Sequence, residues 1–128
     1  TQRDLLQAFA QAASSGDFTA LKSVLAAEAQ LVGDGGGKVP SFGVPLRGGQ
    51  RIAQLYLATC LRFRGRVRCE IALAAGQWRL LRFIDGKLES AQYLETDGTR
   101  ITRIHAQRNP DKLAQLAQTL GCELSALA

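Results

Sequence analysis

The stretch RFIDGKLESAQYLETDGTRITRIHAQ, Arg82 to Gln107, holds two Asp-Gly pairs, Asp85-Gly86 and Asp97-Gly98, each between runs able to form strands. Asp-Gly supplies φ > 0 at consecutive positions, the requirement of a two-residue hairpin turn whose twist matches its flanking strands. The stretch therefore predicts an antiparallel meander of three strands, near Trp78–Ile84, Lys87–Glu95 and Arg100–Gln107. Just upstream, Val67, Cys69, Ile71 and Leu73 recur at every second position, the period of another half-buried strand, with arginines on its solvent face.

Outward from this sheet the periodicity turns helical. Leu5, Leu6, Phe9, Ala12 and Ala13 mark one face of a helix over Gln2–Ala13. Ser14-Ser15-Gly16 breaks it, and Asp17 caps a second helix carrying Phe18, Leu21, Val24 and Leu25 on one side. A short strand over Ala29–Gly33 runs into three glycines, and Pro40 and Pro45 keep the next stretch extended or irregular. A third helix after Gly48-Gly49 turns Ile52, Leu55, Tyr56, Thr59 and Cys60 toward the core, and a last one runs from Pro110 to about Leu120, closed by Gly121. Helices first and a curled antiparallel sheet afterwards predict a single α+β domain over residues 1–128: a cone of curved sheet packed by N-terminal helices, with a C-terminal helix.

Bulk properties narrow the function. A chain of 128 residues, 46% hydrophobic and 21% charged, can bury a core without disulfides. No apolar run has membrane-span length and no signal-peptide pattern opens the chain. The three cysteines, Cys60, Cys69 and Cys122, are odd in number and lack metal-ligand spacing, so they read as reduced thiols of a cytoplasmic protein with neither metal nor cofactor. The formal charge of +5 gathers around Arg62, Arg64, Arg66, Arg68, Arg79 and Arg82, but without interleaved aromatics or a helix-turn-helix this does not read as direct nucleic-acid binding. The chain starts at Thr1 and has no methionine, which leads us to expect a piece of a longer or processed polypeptide with a further segment upstream.

Two motifs remain. In LVGDGGGKVP, Leu31 to Pro40, Gly33 and Gly37 are too close for a phosphate-binding loop of the Walker type, Val39 follows Lys38, and Pro40 blocks an immediate helix. Three glycines after a strand allow a sharp reversal or the close approach of another backbone. In RNPDKLAQL, Arg108 to Leu116, Asn109 suits the N-cap, Pro110 the first helical position, and Asp111 the positive end of the helix dipole.

Taken together, DGGGK at Asp34–Lys38 and NPDKL at Asn109–Leu113 resemble the paired signatures of the SnoaL-like C-terminal extension found in one group of extracytoplasmic-function (sigma-70 type) sigma factors. SGDFTALKSVLAAEAQLVGDGGGKVP, Ser15–Pro40, resembles the family's opening helices and first strand, and DGTRITRIHAQRNPDKLAQL, Asp97–Leu116, its final strand and helix. The resemblance implies a cone as in ketosteroid isomerases and polyketide cyclases, and upstream sigma regions that bind core RNA polymerase and promoter DNA. It implies a regulatory extension contacting the sigma regions of its own polypeptide, with DNA engaged through the parent and not directly. Asp34, Gly35, Gly36, Gly37 and Lys38, with Asn109, Pro110, Asp111, Lys112 and Leu113, are then the regulatory contact residues, and none is catalytic. Trp78 and Phe42 stand where the family usually has smaller residues, so a family-typical pocket is expected to be reshaped.

Other readings compete. A SnoaL-like cyclase, isomerase or dehydratase needs a carboxylate or imidazole of shifted pKa on the pocket floor, for which His105, Asp34 and Asp85 are candidates. A small-molecule sensor would use a cavity lined by Tyr56, Trp78, Leu80, Arg82 and His105, with Arg82 as an inward charge able to hold an anion. Pairing of sheet faces into a homodimer is compatible with each.

Overall fold

Asp85 and Gly86 both adopt φ > 0, +56° and +77°, and Ile84 pairs with Lys87 across them, so the first Asp-Gly pair forms the tight turn its sequence predicts. The second turn is looser. Asp97-Gly98-Thr99-Arg100 separates the paired strands, and the Asp97 carboxylate accepts the backbone N–H groups of Thr99 and Arg100 at 2.9 and 2.8 Å. A side-chain acceptor here replaces the two-residue hairpin turn.

The computed structural model describes residues 2–34, 45–74 and 76–125. In chain order these form α1 (Gln2–Ser15), α2 (Phe18–Val24), β1 (Leu25–Asp34), β2 (Leu46–Arg47), α3 (Gly49–Arg62), β3 (Val67–Ala74), β4 (Gln77–Ile84), β5 (Lys87–Thr96), β6 (Ile101–Gln107) and α4 (Pro110–Leu120). The strands build one six-stranded sheet in the order β2-β1-β6-β5-β4-β3. Its pairs are antiparallel except β1 with β6, which run parallel, so the sheet is mixed.

The expected caps are in place. The Asp17 side chain accepts the Ala20 N–H, that of Asn109 accepts the Asp111 N–H, and Gly121 ends α4 in the left-handed conformation. The first strand differs from expectation. It begins at Leu25, directly after α2, because the alanine-rich Leu25–Gln30 segment joins the sheet through a register shift that simple alternation hides. On α3 only Ile52, Ala53 and Tyr56 of the inward stripe are deeply buried, and Leu55, expected inside, is 36% exposed. The arginine-rich region is likewise not one strand face: Arg62 ends α3, Arg64 and Arg66 lie in the turn after it, Arg68 is exposed on β3, and Arg82 is inside.

Two cores flank the sheet. Phe9, Leu21, Ile52, Leu80, Leu94, Ile101 and Ile104 fill the space between α1–α3 and one face. Leu81, Phe83, Leu88 and Ala91 meet Leu113 and Ala117 of α4 on the other. Two bulges let single strands serve both cores. Thr102 is the extra residue in β6, so Ile101 and Ile104, of opposite parity, share one face. Glu89 is the extra residue in β5: Arg82 pairs with Ser90 and Phe83 with Leu88, leaving Glu89 unmatched. Bulged residues bend a strand and re-aim its side chains.

The first residue of α3 sits directly on β1. A Cβ on Gly49 would lie 2.5 Å from the Ala26 carbonyl oxygen, a backbone atom that cannot rotate away. Gly49→Ala is therefore expected to destabilise the domain by about 1–3 kcal/mol through overpacking. Gln50→Ala, on the exposed side of the helix, should stay within about 0.5 kcal/mol of wild type. Urea denaturation of the two variants checks this.

Candidate functional site

Trp78, Leu80, Arg82 and Ile84 alternate along β4 and share the face beneath α1–α3. Leu80 is fully buried in the core, and Trp78 packs at its margin with the Arg3 guanidinium 5.3 Å from its ring. Arg82 is largely buried. Its Nε and Nη2 donate to Oε1 and Oε2 of Glu89 at 2.9 and 3.1 Å, a bidentate pair whose side chains are 12% and 5% exposed. Nε of Arg108, just past the end of β6, lies 3.3 Å from Glu89 Oε2. The bulge thus holds one carboxylate between two guanidinium groups.

From α3, the Tyr56 hydroxyl donates to Oε1 of Gln92, whose Nε2 donates to Ser90 Oγ at 3.2 Å. Phe9 meets the Tyr56 ring edge-on at 5.0 Å, and the Arg82 guanidinium lies 5.5 Å from that ring's centre. Tyr56, Arg82, Glu89, Gln92 and Arg108 line a cavity of about 500 Å³ that also touches Leu31, Gly33, Leu55, Ala58, Thr59, Arg62, Phe63, Ile84 and Ala106.

Burial disfavours the charged form of Glu89, but the attraction and hydrogen bonds of Arg82, with the help of Ser90 and Arg108, outweigh it and hold the carboxyl below its usual range. Burial likewise works against protonated Arg82, and Glu89 reverses the balance, raising an already high value. Burial pushes the Tyr56 phenol well above its ordinary value. It also drives the Cys69 thiol, buried on β3 beside Arg82, up to about 12, so Cys69 behaves as a core residue. Among the described residues no three of His, Cys, Asp and Glu gather as metal ligands.

Of the five residues expected to line one pocket, the structure brings Tyr56 and Arg82 together and leaves Trp78 and Leu80 outside the lining. His105 is on the opposite face, in a shallower depression of about 320 Å³ with Arg79 and Tyr93. There its Nε2 lies 2.6 Å from Oε2 of Glu95, and that hydrogen bond holds the Glu95 carboxyl below its ordinary range. The Thr102 bulge decides this placement, because it gives Ile104 and Ala106 the interior parity. Asp85 is on the surface in a bidentate pair with Arg66.

Sequence reading missed Glu89, Gln92 and Arg108. The available signal was an acid and an amide inside an otherwise apolar strand, LESAQYL, since charges in a strand buried on both sides need partners.

The two motifs set apart in the sequence leave the sheet side by side. Asp34, the last residue of β1, is in register with Gln107, the last of β6, and Asn109 caps α4 two residues later. Gly35, Gly36, Gly37, Lys38 and Phe42 lie outside the described residues. Asp111 and Lys112 are exposed on the first turn of α4, Asn109 and Pro110 are half-buried, and Leu113 anchors the helix in the second core.

Removing the shared carboxylate leaves two cations in its place, so Glu89→Gln should cost about 3–5 kcal/mol at pH 7. The folded-state pKa of Glu89 is depressed from its ordinary 4.5. Its contribution is therefore full above about pH 4.5 and lost as pH falls through the lower folded value. Denaturant midpoints of wild type and Glu89→Gln, compared at pH 7 and pH 3, should converge on acidification.

No protein-family model and no curated protein sequence matches this chain. Solved structures do. The chain is similar to the extracytoplasmic-function sigma factor SigJ of Mycobacterium tuberculosis, at 20% identity and a TM-score of 0.68 over 88% of this chain, and it spans 44% of that one. It is similar to a SnoaL-like protein of unknown function from Burkholderia thailandensis, at 15% identity and a TM-score of 0.60 over 81% of this chain and 90% of the other. It is also similar to an LEH-like epoxide hydrolase of M. tuberculosis, at 20% identity and a TM-score of 0.53 over 92% and 94%. Likeness at such identities speaks to architecture: this chain has the α+β fold of the NTF2-like and SnoaL-like proteins.

Proposed function

We propose that this domain is a regulatory extension of an extracytoplasmic-function sigma factor, acting in the cytoplasm through contacts with the sigma regions of its own polypeptide. By those contacts it changes how productively they engage RNA polymerase and promoter DNA. The observation that carries the reading is the register of Asp34 with Gln107. Two motifs more than seventy residues apart in sequence leave the sheet from adjacent strand ends, as one docking surface requires. The exposed Asp111 and Lys112 on α4 supply charges of both signs, which orient a partner more than they bind it. The fold likeness to SigJ, of which this chain spans less than half, supports an arrangement with further sigma regions outside the domain.

The cavity chemistry favours regulation over lyase or isomerase chemistry. A general base needs a free lone pair and a pKa near the working pH. Glu89 is ionised but held by two guanidiniums, Tyr56 is pushed far above neutrality, and His105 faces the other side of the sheet.

Multi-round transcription by the full-length polypeptide with core polymerase tests the proposal. Lys38→Glu and Asp111→Lys are each expected to change transcript yield several-fold while the thermal midpoint of the domain moves by no more than about 2 °C. Unchanged yield from both folded variants would overturn the regulatory reading.

A further inference from the structure

We infer that the cavity under α3 is a binding site for a small organic acid, a monocarboxylate carried on an apolar body. This stands independently of the regulatory reading, because it concerns only what the cavity holds.

A guanidinium has five N–H donors in a planar fork. Glu89 takes Nε and one hydrogen of Nη2 from Arg82, a side-on grip that leaves the end-on edge, Nη1 and the second Nη2 hydrogen. That edge is the complementary geometry for a second carboxylate. Among the described residues nothing else bonds it, and Arg82 lines the cavity. The Tyr56 ring, 5.5 Å from the guanidinium carbon, adds a cation–π attraction that helps to hold it.

Charge and shape select the rest of the ligand. The described lining residues include three guanidiniums, Arg62, Arg82 and Arg108, and one carboxylate, Glu89. The Arg82 side chain is only 12% exposed, so an anion meeting its remaining edge gains more there than it would at an exposed arginine. The walls are otherwise apolar, with Leu31, Leu55, Phe63, Ile84 and Ala106, and the cavity of about 500 Å³ falls in the range of small-molecule sites. An inorganic anion would leave those walls unfilled, and an alcohol would leave the guanidinium edge unanswered.

Calorimetric titration of the 128-residue chain with sodium octanoate, 1-octanol and inorganic phosphate tests this. Octanoate should bind at least tenfold more tightly than octanol, and phosphate should not displace it. Arg82→Lys keeps the charge but lacks the fork, and should erase the preference for acid over alcohol. Ala58→Phe, at the exposed mouth of the cavity on α3, should weaken octanoate at least tenfold while the far-ultraviolet spectrum stays native. If Arg82→Lys does not fold, the octanoate–octanol ratio and Ala58→Phe decide between them. Equal affinity for octanoate and octanol, no octanoate binding at millimolar concentration, displacement by phosphate, or octanoate binding undiminished in folded Ala58→Phe would each overturn the assignment.

Discussion

The extra residue in β5 is the constraint on which the rest of the structure turns. Without a bulge at Glu89, strict alternation would put Leu88 on the same face as Ser90 and Gln92. A leucine would then enter the polar floor under α3, and α4 would lose a central contact of its core. With the bulge, Leu88 faces Leu113 and Ala117 while Glu89 lines the cavity and Ser90 braces Gln92, which also lines it. The carboxylate so buried is tolerated because Arg82 grips it through two hydrogen bonds; a buried ion pair of this kind specifies one arrangement more than it adds net stability. The same bulge leaves Leu88 free to take the chain beyond α4: its N–H donates to the Glu123 carbonyl, and its own carbonyl accepts the Ser125 N–H. An edge exposed where β6 has ended is thereby closed.

The architecture was legible where local chemistry is decisive. Asp85-Gly86, Asp17, Asn109-Pro110 and Gly121 each name a backbone conformation or a satisfied N–H group, and each holds in the structure. Alternation failed where bulges intervene. Ile101 and His105 share sequence parity, yet Thr102 sends them to opposite faces, so the histidine expected in the pocket is outside it. The parallel pairing of β1 with β6 was invisible for another reason: it joins residues some seventy positions apart, and no local signal encodes such a partner. The composition of the cavity floor was hidden for the same cause. Glu89 and Arg108 become intelligible as partners only once the sheet has brought them together.

That pairing also relates the cavity to the proposed docking surface. Gly33 and Arg108 line the cavity, and the residues immediately after them, Asp34 and Asn109, open the two motifs at the sheet edge. One wall of the cavity is therefore made of the strand ends from which the proposed docking surface departs. Coupling between sites needs contiguous elements with more than one arrangement, and the shared strand ends supply the contiguity. A ligand influences the edge only to the extent that it binds one arrangement more tightly than another.

The fold alone does not choose between such roles, because it carries a sigma factor, an epoxide hydrolase and proteins of unassigned activity alike. The choice lies in how buried charge is used. A cavity set up for acid–base chemistry keeps a titratable group unencumbered and poised near the working pH. Here the buried carboxylate is committed to arginines in the resting structure, and the phenol above it donates to an amide that is itself tied to a serine. The fixed donors of such a network can meet an anion without rearrangement.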